Sequence, residues 1–207
     1  MFTLVSWNIQ YGKGVDGRID LGRIAETVHK DGLPDVLCLQ EVSRNYPSTD
    51  EGADQVKELE NFFPDYESFF GAVHDRSGGK EKTRKQFGNL VLTRLSPVQV
   101  LHHLLPSPAD PKARFMSRQI AELVIPANTT ELRVMTTHLE FFSEIQQLAQ
   151  IQRIREIHEE ASCQFHFPGK DMPDTPFELV KRPENTVICG DFNFTPDSTS
   201  YRKMTAR

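Results

Sequence analysis

One stretch near the end of the chain limits the possible folds more than any other: Thr186-Val187-Ile188-Cys189-Gly190-Asp191-Phe192-Asn193. A run of Val, Ile and Cys without apolar–polar alternation suits a strand buried on both faces. Gly190 lets the backbone turn sharply or pack closely where the strand ends. Asp191 and Asn193 then leave the sheet at one edge. A carboxylate there can orient or deprotonate water, and an amide can donate to an oxyanion. Asp and Asn after a strand are also ordinary turn residues, so the stretch gains meaning only if other groups arrive beside it.

The same pattern recurs three times. Phe2 to Trp7 reads as a strand and delivers Asn8. Val36-Leu37-Cys38-Leu39 reads as a buried strand and delivers Gln40 and Glu41. Leu132 to Thr137 delivers His138. Further strands are expected over Tyr66–Val73, Asn89–Thr93 and Ser117–Ile125. Asp20 opens a helix with Leu21, Ile24, Ala25 and Val28 on one face, ended by Gly32 and Pro34. Asp54 to Phe63 reads as a second helix, stopped by Pro64. Ser143 and Gln146 resemble a capping box, and Leu148, Ile151, Ile154 and Ile157 form one helical face. Leu101–Phe115, rich in His and Pro, reads as a connecting loop. Ser162–Asn185, with Pro168, Pro173, Pro176 and Pro183, reads as a surface excursion. Asp75–Gln86 carries Lys80, Lys82, Arg84 and Lys85, and is either a solvated loop or an anion-attracting rim. No repeat or boundary interrupts the chain, so a single domain over residues 1–207 is expected.

Composition narrows the class. The chain is 38% hydrophobic and 26% charged, as in soluble globular domains, and no apolar stretch is long enough to span a bilayer. The N-terminus lacks a basic segment and a small-residue cleavage site, so it reads as the first strand. Three cysteines without metal-ligand spacing favour a reducing compartment, and a cytoplasmic location is expected. The net charge of −5 argues against a broad nucleic-acid footprint while leaving a local one open. Trp7, Phe141 and Phe142 read first as packing residues, although one of the two Phe rings could touch substrate. Glu140 is a second acidic group near His138, ranked below Glu41.

Two carboxylates, two amides and an imidazole at strand ends match the needs of metal-assisted phosphoester hydrolysis. Carboxylate oxygen suits a hard cation such as Mg²⁺ or Mn²⁺. Competing templates are missing from the sequence. It has no glycine-rich phosphate loop followed by Lys, no Gly-x-Ser-x-Gly turn, no His-Glu-x-x-His pair and no cysteine cluster for zinc.

Trp7-Asn8-Ile9, Leu39-Gln40-Glu41-Val42, Gly88-Asn89, Thr137-His138-Leu139 and Gly190-Asp191-Phe192-Asn193 resemble the successive motifs of the endonuclease/exonuclease/phosphatase superfamily. The resemblance covers essentially the whole chain. It implies an α+β fold, the four-layer αββα sandwich with two mixed sheets face to face and helices outside. It also implies a divalent-metal phosphoesterase using Mg²⁺ or Mn²⁺. By resemblance, Glu41 is a metal ligand with Asn8 beside it. Asp191 handles the nucleophilic water, Asn193 positions that water and the phosphate, and His138 contacts the scissile phosphate. Asn89 and Arg118 line the site. The implied substrate is a phosphoester of nucleic acid, a phospholipid head group, or an inositol or sugar phosphate. The family pattern closes with a late Asp and a Ser-Asp-His segment, and these residues stop at Arg207 without them. The expectation is therefore a sandwich incomplete at its C-terminus and weakly active alone. The alternative is a non-catalytic interaction module that keeps the fold.

Overall fold

The computed structural model describes residues 2–79, 83–127 and 130–206. The chain forms two compact units. One comprises Met1–Ser96, Thr136–His138 and Cys189–Asp191; the other comprises Pro97–Met135, Leu139–Ile188 and Phe192–Arg207.

The first unit is built on a mixed sheet of β1 (Leu4–Asn8), β2 (Val36–Arg44), β3 (Glu67–Ser77) and β4 (Arg84–Thr93), in the order β1-β2-β4-β3. Parallel neighbours need a crossover, and the helix α1 (Leu21–Asp31) supplies it between β1 and β2. The Asp20 carboxylate caps α1 by accepting from the Arg23 N–H, and Gly32 ends it at φ 94°, a conformation that favours glycine. Leu21, Ala25 and Val28 bury the apolar face of α1 in a core with Leu37, Leu39, Leu90 and Leu92, joined by Val56 and Leu59 of α2 (Gln55–Phe62). Each fully buried leucine contributes about 2 kcal/mol, so Leu39→Ala alone would cost roughly 2–5 kcal/mol. Parallel pairing sets Leu4 opposite Val36 and Asn8 opposite Gln40. Both strands therefore deliver their polar ends in the same direction.

The second unit carries β5 (Gln99–Leu104), β6 (Gln119–Ala127), β7 (Thr130–His138) and β8 (Thr186–Asp191) in sequential order, with α3 (Glu144–His166) and α4 (Thr199–Thr205). The last three residues of β7 and of β8 belong to the first unit. Ile151, Ile154 and Ile157 of α3 pack with Ile120, Met135 and Leu139. Buried charges lie on this sheet as well. Glu122 of β6 accepts two hydrogen bonds from Arg182, at 2.8 and 2.7 Å, and lies 2.9 Å from His103 Nε2 and 3.9 Å from Arg133 Nε.

Several elements differ from the sequence reading. Leu101–Phe115 is not wholly a loop, because Gln99–Leu104 pairs antiparallel with β6, placing His103 opposite Ile120. The reason is the His103–Glu122 contact, which gives a polar side chain a buried partner inside a strand. The ends of Asp75–Gln86 are strand, with Asp75 opposite Gln86 and Ser77 opposite Arg84. Arg84 is held by Asp75 at 2.7 Å, while Lys80 and Lys82 of the expected basic rim lie outside the described residues. The helix α3 runs to His166, so only residues 167–185 of the expected excursion are free of helix and strand. Among the described residues, no helix is long and apolar enough to cross a membrane.

Candidate active site

The site residues of the first unit come from four strands: Asn8, His138 and Asp191 end theirs, and Glu41 lies within β2. Asn8 is the last residue of β1. Its neighbour β2 is not regular there: the pairing with β4 shifts register between Leu39 and Val42, and Glu41 sits at φ 61°. An extra residue in one strand bends it and re-aims a side chain. Such left-handed backbone costs a non-glycine residue of order 1–3 kcal/mol, a strain that collects at functional sites. Asp191 arrives through Gly190, which has φ 136°. A Cβ on Gly190 would stand 1.9 Å from the Thr137 carbonyl oxygen, so only glycine permits this approach.

These residues meet around one amide. The Asn8 Nδ2 donates to Glu41 Oε1 at 3.0 Å and to Asp191 Oδ2 at 2.9 Å, while its Oδ1 accepts from the Gln10 N–H at 3.0 Å. All three polar positions of the amide are engaged, so its orientation is set. His138 stands over the same pair, with Nδ1 3.9 Å from Glu41 Oε1 and Nε2 3.8 Å from Asp191 Oδ2. The imidazole is 10% exposed, against 22% for Glu41 and 31% for Asp191, so the carboxylates are the groups that solvent reaches. Beneath them, the buried Gln40 side chain donates to Thr136 Oγ1 at 3.0 Å, to the Cys38 carbonyl at 3.2 Å and to Ser6 Oγ at 3.3 Å. That brace ties β1, β2 and the end of β7 together below the site. The Cys38 thiol lies in the same layer. Its hydrogen bond with Cys189 and its burial both push it above the ordinary thiol range, as for an inert packing residue.

Asn89 is buried in β4, opposite Gly71 of β3 and across from the Gln40–Glu41 bulge of β2. Arg118, in the second unit, is buried and lies 3.4 Å from the Glu140 carboxylate. Asn193, also in the second unit, has φ 52°; its Nδ2 donates to the Leu139 carbonyl at 2.8 Å and its own carbonyl accepts from Gln147 at 3.0 Å. Glu140, the second acidic group near His138 in the chain, turns inward. It is fully buried, accepting the Phe142 N–H at 2.8 Å, with its carbonyl bonded to Gln147 and its N–H to Gln150. Buried glutamines spaced along the inner face of α3 are the sequence signal that could have revealed such a polar frame. Phe141 and Phe142, read first as packing residues, are instead exposed, because the frame holds their backbone while their rings project outward.

Two solvent-reached carboxylates joined by an amide, with an imidazole over them, can hold a water, bind a cation through oxygen and donate to an anionic group. Among the described residues, no three His, Cys, Asp or Glu side chains form a complete cation cage. A cation here would keep several waters of its own.

Residues 5–207 match the Endonuclease/Exonuclease/phosphatase family. A search of curated proteins returned no match. Among solved structures, the chain resembles an endonuclease/exonuclease/phosphatase from Beutenbergia cavernae (21% identity, 86% of this chain and 50% of that one, TM-score 0.62). It also resembles a mannosyl-6-phosphatase from Bacteroides thetaiotaomicron (17% identity, 100% and 70%, TM-score 0.66). A third likeness is to a humanized D. rerio TDP2 (18% identity, 99% and 66%, TM-score 0.57). The chain thus spans half to about seven-tenths of the length of these proteins. At such identities the likeness shows the fold, an α+β sandwich of two four-stranded sheets and helices. With a match that runs from the first strand to the last residue, the chain belongs to the endonuclease/exonuclease/phosphatase family.

Proposed function

We propose that this chain hydrolyses phosphoesters with the help of a divalent cation, by in-line attack of water on phosphorus. The observation that carries the reading is the Asn8 amide, which joins Glu41 to Asp191 directly beneath His138. Its donor set fits Mg²⁺ or Mn²⁺: hard oxygen ligands, only one or two carboxylates, and room for retained waters. Glu41 would hold the cation, with Asn8 beside it. When bound, the cation supplies charge neutralisation at the phosphoryl oxygens.

The chain's own residues do the rest. Asp191, the more exposed carboxylate, accepts a hydrogen bond from the attacking water and orients it. His138 presents an imidazole N–H to a phosphoryl oxygen, in a site where its neighbours are acceptors. Asn8 keeps the two carboxylates at a set separation, so neither reorganises during the reaction. Asn193, two residues after Asp191 in the chain, is the candidate for a further amide contact to phosphate; Asn89, across from the Glu41 bulge, is a candidate by register and family resemblance, and Arg118 by family resemblance alone.

The test uses Glu41→Ala and Asp191→Ala, with bis(p-nitrophenyl) phosphate turnover and calorimetric titration of Mg²⁺ and Mn²⁺. Both variants should lose turnover by orders of magnitude while melting near the parent temperature, and Glu41→Ala should also lose cation binding. Near-normal turnover in both would overturn the assignment.

A further inference from the structure

The second unit exposes aromatic rings in an unusual setting. Phe141 and Phe142 are 66% and 53% exposed, packed edge to face with centroids 5.2 Å apart. The Arg114 guanidinium lies over the Phe142 ring at 5.5 Å, and the neighbouring Phe115 and Ile145 are exposed as well. Leaving such rings in water forgoes the gain of burying them, so the exposed Phe141–Phe142 pair calls for a reason.

A polar frame supports the rings. The Phe142 N–H is bonded to the buried Glu140 carboxylate, which is paired with buried Arg118. Ser143 donates to Asp110 at 2.6 Å, and Gln146 donates to the Pro108 carbonyl at 2.9 Å. These bonds tie the loop bearing Arg114 to the loop bearing both Phe rings. A rigid aromatic surface loses little entropy when something stacks on it.

We propose that Phe141 and Phe142, with Arg114, form a stacking platform for nucleobases. Resting on the phosphoesterase reading above, this makes the substrate a single-stranded nucleic acid. Phe141 and the Phe142 face turned away from Arg114 offer π-surface next to a guanidinium, which suits a base carried on a phosphate chain: a ring stacks on the base and the cation adds attraction. It suits an acyl chain less well, since an acyl chain has no use for the cation; a sugar stacks through its C–H face, and an abasic strand, which keeps sugars and phosphates, separates that case. A net charge of −5 fits a short stacking contact and not a long phosphate-tracking groove.

The experiment measures binding by fluorescence anisotropy in EDTA, so that cleavage plays no part. Two labelled strands of about six nucleotides are compared, oligothymidine and its abasic counterpart with the same number of phosphates. The whole chain should bind the base-bearing strand about tenfold more tightly. Phe141→Ala/Phe142→Ala should abolish that preference with an unchanged circular dichroism melt, because both rings are exposed. Equal or undetectable binding of the two strands by the parent chain would overturn the proposal, as would a preference that survives the double substitution. Co-sedimentation with phosphatidylcholine vesicles that is lost in the double variant would also overturn it, by assigning the rings to a lipid surface. If Glu41→Ala keeps its turnover while the base preference stands, the phosphoesterase reading fails and the platform survives.

Discussion

Asn8 donates a hydrogen bond to Asp191 across 183 residues of chain, at 2.9 Å, while the same nitrogen holds Glu41 at 3.0 Å. One neutral amide thus keeps two carboxylates side by side. Replacing it by a third carboxylate, Asn8→Asp, removes both donor bonds and adds like charge. The variant should lose about 1–3 kcal/mol of stability without added cation. A divalent cation should return most of it, so Mg²⁺ should raise the melting temperature of Asn8→Asp more than that of the parent. Equal shifts would mean that the carboxylate pair does not hold the cation.

Asn8, Glu41, His138 and Asp191 were legible as polar groups that follow strand patterns, unbroken and apolar in Val36-Leu37-Cys38-Leu39 and Val187-Ile188-Cys189, although β2 runs on past Glu41 to Arg44. Parallel pairing of β1 and β2 then leaves little choice about where Asn8 and Glu41 go. Glu140 was illegible for the opposite reason. Its burial depends on Gln147, Gln150 and Arg118, and the one signal of that partnership, the glutamine spacing on α3, lies seven and ten residues further along the chain. The strand β5 was hidden likewise, since the partner of His103 stands 19 residues away on β6. Glu41 was read as a site residue from its strand, but its backbone conformation comes from a register shift that no local pattern reveals.

Gly190→Ala should be among the most damaging small substitutions in the first unit. The added methyl would meet the Thr137 carbonyl at 1.9 Å, and the backbone would remain at φ 136°. Backbone cannot give way as a flexible side chain would. The expected cost is about 3 kcal/mol or more, read from urea unfolding of the purified variant. A loss under about 1 kcal/mol would show that β8 can retreat from β7.

Glu122 links stability to acid. Burial pushes its carboxyl up, but the hydrogen bonds from His103 and Arg182 and the charges of Arg182 and Arg133 outweigh that and hold it at about 2, below the ordinary 4.5. The unfolded chain therefore takes up this proton first as pH falls. The stabilisation is full above about pH 4.5 and is lost on acidification through about pH 2, and it is on the order of 3 kcal/mol. Glu122→Gln leaves two buried guanidinium groups without their carboxylate, which costs about 3–5 kcal/mol at neutral pH. Its stability should then fall less steeply than the parent's between pH 4.5 and 2. Parallel slopes in urea titrations across that range would remove Glu122 from the acid response.

Glu41 allows function and stability to be separated at one position. Its φ of 61° is strained for any side chain beyond glycine, so the backbone there would prefer Gly whatever the chemistry requires. Glu41→Ala keeps the strain and loses the carboxylate; Glu41→Gly loses both. On the proposed role, both variants should be equally impaired in turnover. Glu41→Gly should nevertheless be the more stable of the two by about 0.5–1 kcal/mol, since the relieved backbone outweighs the added freedom of glycine in the unfolded chain. A carboxylate retained at a strained position is what a site selected for chemistry looks like. If Glu41→Ala proved the more stable, the left-handed backbone would carry no strain, and the bulge would be a relaxed feature of β2 with no cost for function to offset.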